Sequence, residues 1–253
     1  MDTSSGVFLE FSAGDAVVHA GAQREYGVTV AFLRGRGSTY GLGTTADPSM
    51  LNQEQREMVA SVWSGEREYA SQSSEPRFDP PAPLVLGRIE VALADAKLAP
   101  KACANFVALC TGSRGMSKSV KTAALHYRDV PMHRIERGFV AQGGDVTRRD
   151  GSGGDSIHGG KFNDERGGLT RGWRRGTVAM ANAGKNSNTS QFFVCLAADA
   201  SRYAKLEGKH VVLGHVREDD AASLAVLDAL DARGSATGVP SEPVWVSDCG
   251  VLQ

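Results

Sequence analysis

From Leu84 to the C-terminus the chain alternates short apolar runs with glycine-rich turns, and this rhythm limits the fold more than any other feature. The sequence holds 30 glycines, and they cluster in its second half. Glycine supplies the positive-φ positions that tight turns between strands require. Leu86–Leu93, Gly176–Ala181, Gln191–Leu196 and His210–Val216 read as strands. Pro100–Thr111 reads as a helix, with Pro100 near its start and Ala102, Phe106, Leu109 and Cys110 forming an apolar stripe. A second helix, over about Asp219–Arg233, has acids at its start, Arg233 at its end and Gly234 beyond. Many strands with two well-separated helices predict a mainly β fold, a closed antiparallel barrel whose ends the helices cover.

The first part of the chain differs in texture and predicts a small α/β segment. Val7–Phe11 and Tyr26–Leu33 read as strands, the latter with Val28, Val30 and Phe32 alternating onto one face. Asp47-Pro48-Ser49 is a helix start signal, followed by Leu51, Met58, Val59 and Val62 at helical spacing, with Gly65 as a stop. Ala70–Pro83 carries Ser, Pro and charge and reads as a linker or extended loop. The division expected is a domain over 84–253 and an N-terminal segment over 1–83.

With a formal net charge of −1, no basic field points to nucleic acid or an anionic membrane. No run approaches the roughly 18–20 apolar residues that span a bilayer. Met1–Gly6 has no basic n-region. Cys103, Cys110, Cys195 and Cys249 form no CxxC pair and no metal-ligand spacing. A cytoplasmic monomer with buried thiols, without metal or cofactor, is expected. The run Gly143 to Gly160 lacks both the third glycine of a dinucleotide loop and a GxxxxGK[ST] signature. His126 and His133 belong to no HExxH or His–Cys cluster, and no serine or cysteine sits in a nucleophile elbow.

What remains is a set of polar residues embedded among apolar ones. The first segment is His133-Arg134-Ile135-Glu136-Arg137-Gly138-Phe139-Val140-Ala141-Gln142-Gly143-Gly144-Asp145. The second is Met180-Ala181-Asn182-Ala183-Gly184, continuing to Ser190-Gln191-Phe192-Phe193, and the third is Leu206-Glu207-Gly208-Lys209-His210. Singly, these read as core aromatics and surface arginines. Together they closely resemble the cyclophilin family, over about Leu84 to the C-terminus and including Asp164-Glu165 and Val246–Gly250.

The resemblance implies an eight-stranded antiparallel barrel with a helix at each end, and a peptidyl-prolyl cis-trans isomerase acting on proline-containing peptides and proteins without a cofactor. Rotation about X–Pro faces a barrier of about 20 kcal/mol because it breaks amide resonance. A donor aimed at the proline nitrogen is worth most in the twisted transition state, where that nitrogen regains its lone pair. By resemblance Arg134 is that donor, and Gln142 hydrogen-bonds Arg134 and holds its direction. Phe139, Val140, Phe193 and Leu206 line the proline pocket with His210 at its edge. Asn182 pins the substrate backbone, and Ala181, Ala183 and Gln191 line the adjoining groove.

This chain departs from the family pattern in places. Val140 stands where Met is frequent, and Arg137 where many members have Pro. Lys205 stands where cyclosporin-sensitive members usually carry Trp, so weakened cyclosporin binding is expected, with Tyr203 able to swing into that place. The loop Ser113–Arg128 resembles the divergent-loop subgroup, in which cysteines at the positions of Cys110 and Cys249 form a possible redox pair. Ser5–Phe11 resembles an opening barrel strand, which makes about 15–83 an insertion, whereas an appended module over 1–83 is the alternative. An adaptor that merely binds proline segments and a general folding chaperone are the competing functions. The adaptor has no need of a transition-state donor such as Arg134, and the chaperone predicts broad binding to unfolded chains rather than to one partner.

Overall fold

The computed structural model describes residues 6–94 and 97–252. Ser5, at the start of the expected opening strand, lies outside the described residues. The chain divides into two compact units, Met1–Ala13 with Val85–Gln253, and Gly14–Leu84.

In the first unit eight strands form one antiparallel sheet. They are β1 (Val7–Ala13), β2 (Val85–Leu93), β3 (Arg134–Glu136), β4 (Val140–Gly143), β5 (Thr177–Met180), β6 (Phe192–Cys195), β7 (Val212–Val216) and β8 (Val244–Val251), in the order β3-β4-β6-β5-β7-β2-β1-β8. β1 lies between β2 and β8 and pairs with both, so the chain leaves the sheet at Ala13 and re-enters it at Val85.

The sheet curls but stays open, which corrects the expectation of a closed barrel. Its ends, β3 and β8, share no ladder. Residues 129–132, just before β3, run along β8, with Asp129 N donating to Val246 O (2.7 Å) and Met132 N to Val244 O (2.8 Å). Pro131 has no N–H to give and Asp129 sits at φ 64°, so the contact remains a single bridge at Trp245.

Two helices lie on the sheet as expected. The first, Pro100–Thr111, packs against β8, β1 and β7, and the second, Ala221–Ala232, against β2, β3 and β4. The N-terminal amides of the first are capped from a distance. Glu165 accepts from Lys101 N (2.9 Å) and Ala102 N (2.8 Å), because Ala99 offers no capping side chain. The second starts at Asp220, whose carboxylate accepts from Ser223 N (3.0 Å). Among the described residues no helix is long and apolar enough to cross a membrane.

Strand alternation sorts the apolar residues into two clusters. Val178, Met180, Phe192 and Val194 enter the main core with Phe106, Leu109, Leu213 and Leu227. Ala179, Phe193 and Cys195 point to the opposite face and join Phe139, Val140 and Tyr203 in a second cluster.

The second unit is helical. Its helices are α1 (Ala16–Arg36), α2 (Gln53–Trp63) and α3 (Arg67–Ala70), and the pair on the sheet are α4 and α6, with the short α5 (Arg166–Leu169) between them. The strand expected over Tyr26–Leu33 is therefore the second half of α1. The Asp15 carboxylate starts this helix by accepting from Val17 N (2.8 Å) and Val18 N (3.1 Å). Its buried residues, Ala22, Thr29, Phe32 and Leu33, recur at helical spacing, so burial outweighs the β-propensity of Val28 and Val30. Asp47-Pro48 opens only a 3₁₀ turn, Pro48–Met50, and α2 begins at a capping box between Asn52 and Gln55.

The segment read as a linker is stitched to these helices. Trp63 Nε1 donates to Ser73 O (2.9 Å), Arg77 N to Thr29 Oγ1 (2.9 Å), and Arg56 pairs with Asp79 (3.1 Å). Trp63 also meets Phe32 and Tyr69 in an aromatic cluster. Trp63→Ala is expected to destabilise this unit by about 3–5 kcal/mol. Hydrogen exchange of the full chain should then lose protection in residues 16–36 and 53–79.

Candidate active site

The outer face of the sheet assembles the expected residues through strand register. Arg134 on β3 stands opposite Gln142 on β4, Gln142 opposite Phe193 on β6, Phe193 opposite Ala179 on β5, and Ala179 opposite Val212 on β7. Directly opposed residues of antiparallel strands share a face, so one row crosses five strands with Arg134 at its end. A parallel row runs Glu136, Val140, Cys195.

Aromatic rings fill the space beside these rows. His210 meets Phe193 edge to face at 5.2 Å, and Trp173 lies parallel to Phe193 at 5.9 Å. Tyr203 stacks on Phe139 at 5.9 Å, and Leu206 packs against the same cluster. Phe139 and Phe193 are 5% and 4% exposed, so they form a floor rather than a projecting wall. Tyr203, read as able to take the place of the Trp usual at the Lys205 position, stacks on Phe139 from within the cluster. It is fully buried, and its hydroxyl donates to Ala197 O (2.9 Å).

Polar groups around the floor are tied down. Arg134 pairs with Glu136, and Gln142 Nε2 donates to Gln191 Oε1 (2.9 Å), so the expected bond from Gln142 to Arg134 is replaced by these two. Gln191 Nε2 donates in turn to Gly151 O (2.9 Å) and Gly153 O (2.7 Å). Those carbonyls belong to the glycine-rich loop, which is folded around the buried carboxylate of Asp145. Asn182 Nδ2 donates to Lys209 O (2.8 Å), Ala181 lies in the second cluster, and Ala183 is exposed with its N–H on Ser187 Oγ (3.0 Å).

His210 Nδ1 stands 3.1 Å from Met180 O, an acceptor, so this nitrogen carries the proton and donates. Burial lowers the pKa of His210 and the bond to Met180 offsets this in part, leaving a neutral ring. Cys110 and Cys249 are free, buried thiols. Burial raises the pKa of both, Cys249 to about 12, and the neighbouring Cys249 adds to the shift at Cys110. No group of His, Cys, Asp and Glu among the described residues could hold a metal ion.

Residues 83–251 match the family model described as cyclophilin type peptidyl-prolyl cis-trans isomerase/CLD. The chain belongs to this family. It is an isomerase, and cyclophilins act on proline-containing peptides and proteins. The matched residues include every strand of this cyclophilin except β1, which nevertheless completes its sheet.

Sequence reasoning missed Glu136, Trp173 and Asp145 as parts of this site. Glu136 was legible in principle, since residues two apart in a strand share a face. Trp173 had no signal, because it lies outside any strand or helix and only the fold brings it to Phe193.

The Asp145 carboxylate is opposed by burial, yet hydrogen bonds from Arg148, Gly153 and Thr147 outweigh this and lower its pKa to about 2. A depressed folded pKa gives stabilisation that is complete above the unfolded value of about 3.9 and is lost as pH falls toward about 2. Asp145→Asn turns an amide toward those N–H donors. It is expected to lower stability near neutral pH by about 2 kcal/mol and to flatten the loss of stability between about pH 4 and 2, read by urea unfolding across pH.

Proposed function

We propose that this cyclophilin isomerises X–Pro bonds through Arg134, without covalent chemistry, and so assists the folding or switching of proline-containing proteins. The observation that carries this reading is the register row from Arg134 through Gln142 to Phe193, which puts the Arg134 side chain on the same face of the sheet as the aromatic floor. The proline ring rests against Phe139, Val140, Phe193 and Leu206, with His210 at the edge. Asn182 holds the substrate backbone through its main chain, and Ala181, Ala183 and Gln191 border the groove leading to the proline.

In the planar ground state the proline nitrogen has little to offer a donor. In the twisted state its lone pair returns, and the Arg134 guanidinium donates to it. Arginine suits this role because it remains charged and its planar fork can be fixed by a partner, here Glu136. Gln142 acts on the row from the side, anchored by Gln191. A pure adaptor or a general chaperone has no use for such a donor.

A protease-coupled isomerisation assay tests this on the full chain. Arg134→Ala is expected to lower kcat/KM by about 10²–10³-fold with the fold retained by circular dichroism. An active Arg134→Ala chain would contradict the assignment. Cyclosporin is expected to bind weakly because the Lys205 ammonium, rather than an indole, lies over Phe139. Lys205→Trp should tighten its binding about tenfold, the equivalent of one aromatic contact, as measured by inhibition of the isomerase.

A further inference from the structure

The Lys205 ammonium lies over the Phe139 ring, 4.2 Å from its centroid. It is carried by the 3₁₀ segment Ala200–Leu206, which starts where the Asp199 carboxylate accepts from Ser201 N (2.9 Å). Arg202, on the same segment, is exposed and approaches Gly138, the residue before Phe139. A Cβ on that glycine would stand 3.5 Å from the guanidinium.

The charges near Phe139 are only partly paired, since Asp199 feels the charge of Arg202 whereas Lys205 has no carboxylate partner among the ion pairs of the described residues. Arg134 has Glu136, and Asp231 accepts from Gly138 N (2.6 Å). Among the described residues no carboxylate stands within ion-pair distance of Lys205 or Arg202. Both cations are exposed.

We propose that this isomerase favours prolines flanked by an acidic side chain, which draws Lys205 off the Phe139 ring and pairs with it. This rests on the reading of Phe139 as part of the proline pocket. A proline ring that reaches Phe139 competes with the ammonium for the same surface. An exposed cation–π contact is weak, and a carboxylate beside the proline replaces it with an ion pair of similar strength. A neutral neighbour displaces Lys205 without replacement, and a basic neighbour adds repulsion. The preference comes from exposed charges, so salt screens it.

The test uses the full chain and peptides carrying Glu, Ala or Lys on either side of one proline. For at least one of the two positions kcat/KM should run Glu, then Ala, then Lys, with about two- to fivefold between Glu and Ala. The order should shrink in about 1 M salt and collapse in Lys205→Ala. Arg202→Ala should weaken it less. The Lys205 methylene protons, shifted by the Phe139 ring, should move toward ordinary values when the Glu peptide is titrated in. An active chain that ignores peptide charge, or an order unchanged in Lys205→Ala, overturns the proposal. If the wild-type chain is inactive, the isomerase reading itself fails. The charge preference is then read from the NMR titrations alone, where equal binding of the Glu and Lys peptides overturns it.

Discussion

Five hydrogen bonds converge on the buried carboxylate of Asp145, from the N–H groups of Thr147, Arg148, Gly151 and Gly153 and from the Thr147 hydroxyl. They fix the loop whose carbonyls at Gly151 and Gly153 hold Gln191. Gln191 holds Gln142, and Gln142 stands opposite Arg134. The buried charge thus orders the Gln191–Gln142 pair on the strand next to Arg134, whose guanidinium is itself held by Glu136. Gly153 is required by the same closeness, because a Cβ there would lie 2.3 Å from Thr147 Oγ1 and 2.7 Å from Asp145 Oδ1.

One sheet serves two purposes because successive side chains of a strand face opposite ways. On β6, Phe192 and Val194 complete the main core, whereas Phe193 and Cys195 build the floor of the site. A one-residue slip of this strand would exchange the two sets, so packing of the core also enforces the register of the site. The floor carries no charge of its own. Its electrostatics come from Arg134, balanced by Glu136, and from Lys205 above Phe139.

The parts of this architecture that were legible in the sequence are those with local causes. Pro100–Thr111 was bounded by its proline and its apolar stripe, and the observed helix has the same ends. The strands β2, β5, β6 and β7 appeared as short apolar runs between turns. Tyr26–Leu33 misled because Val28, Val30 and Phe32 alternate as in a strand, while the capping of Asp15 and the burial of Thr29 and Leu33 act over a longer span. The open edge of the sheet was hidden as well. It depends on Pro131 and on the positive φ of Asp129, which matter only once β8 lies alongside. At the site, residue types were legible from resemblance, but partners were not. Arg134 takes Glu136, two residues on along the same strand, whereas Gln142 takes Gln191 from another strand region, a choice set by packing.

The central claim is that this face lowers the barrier to rotation about a prolyl bond rather than merely holding a proline. Two-dimensional exchange NMR on an Ala-Pro peptide with a small fraction of the full chain tests it most directly. The account predicts exchange peaks between the cis and trans forms that are absent without protein, with shifts at Phe139, Phe193 and His210. Shifts at those residues with cis and trans signals that do not exchange would contradict it.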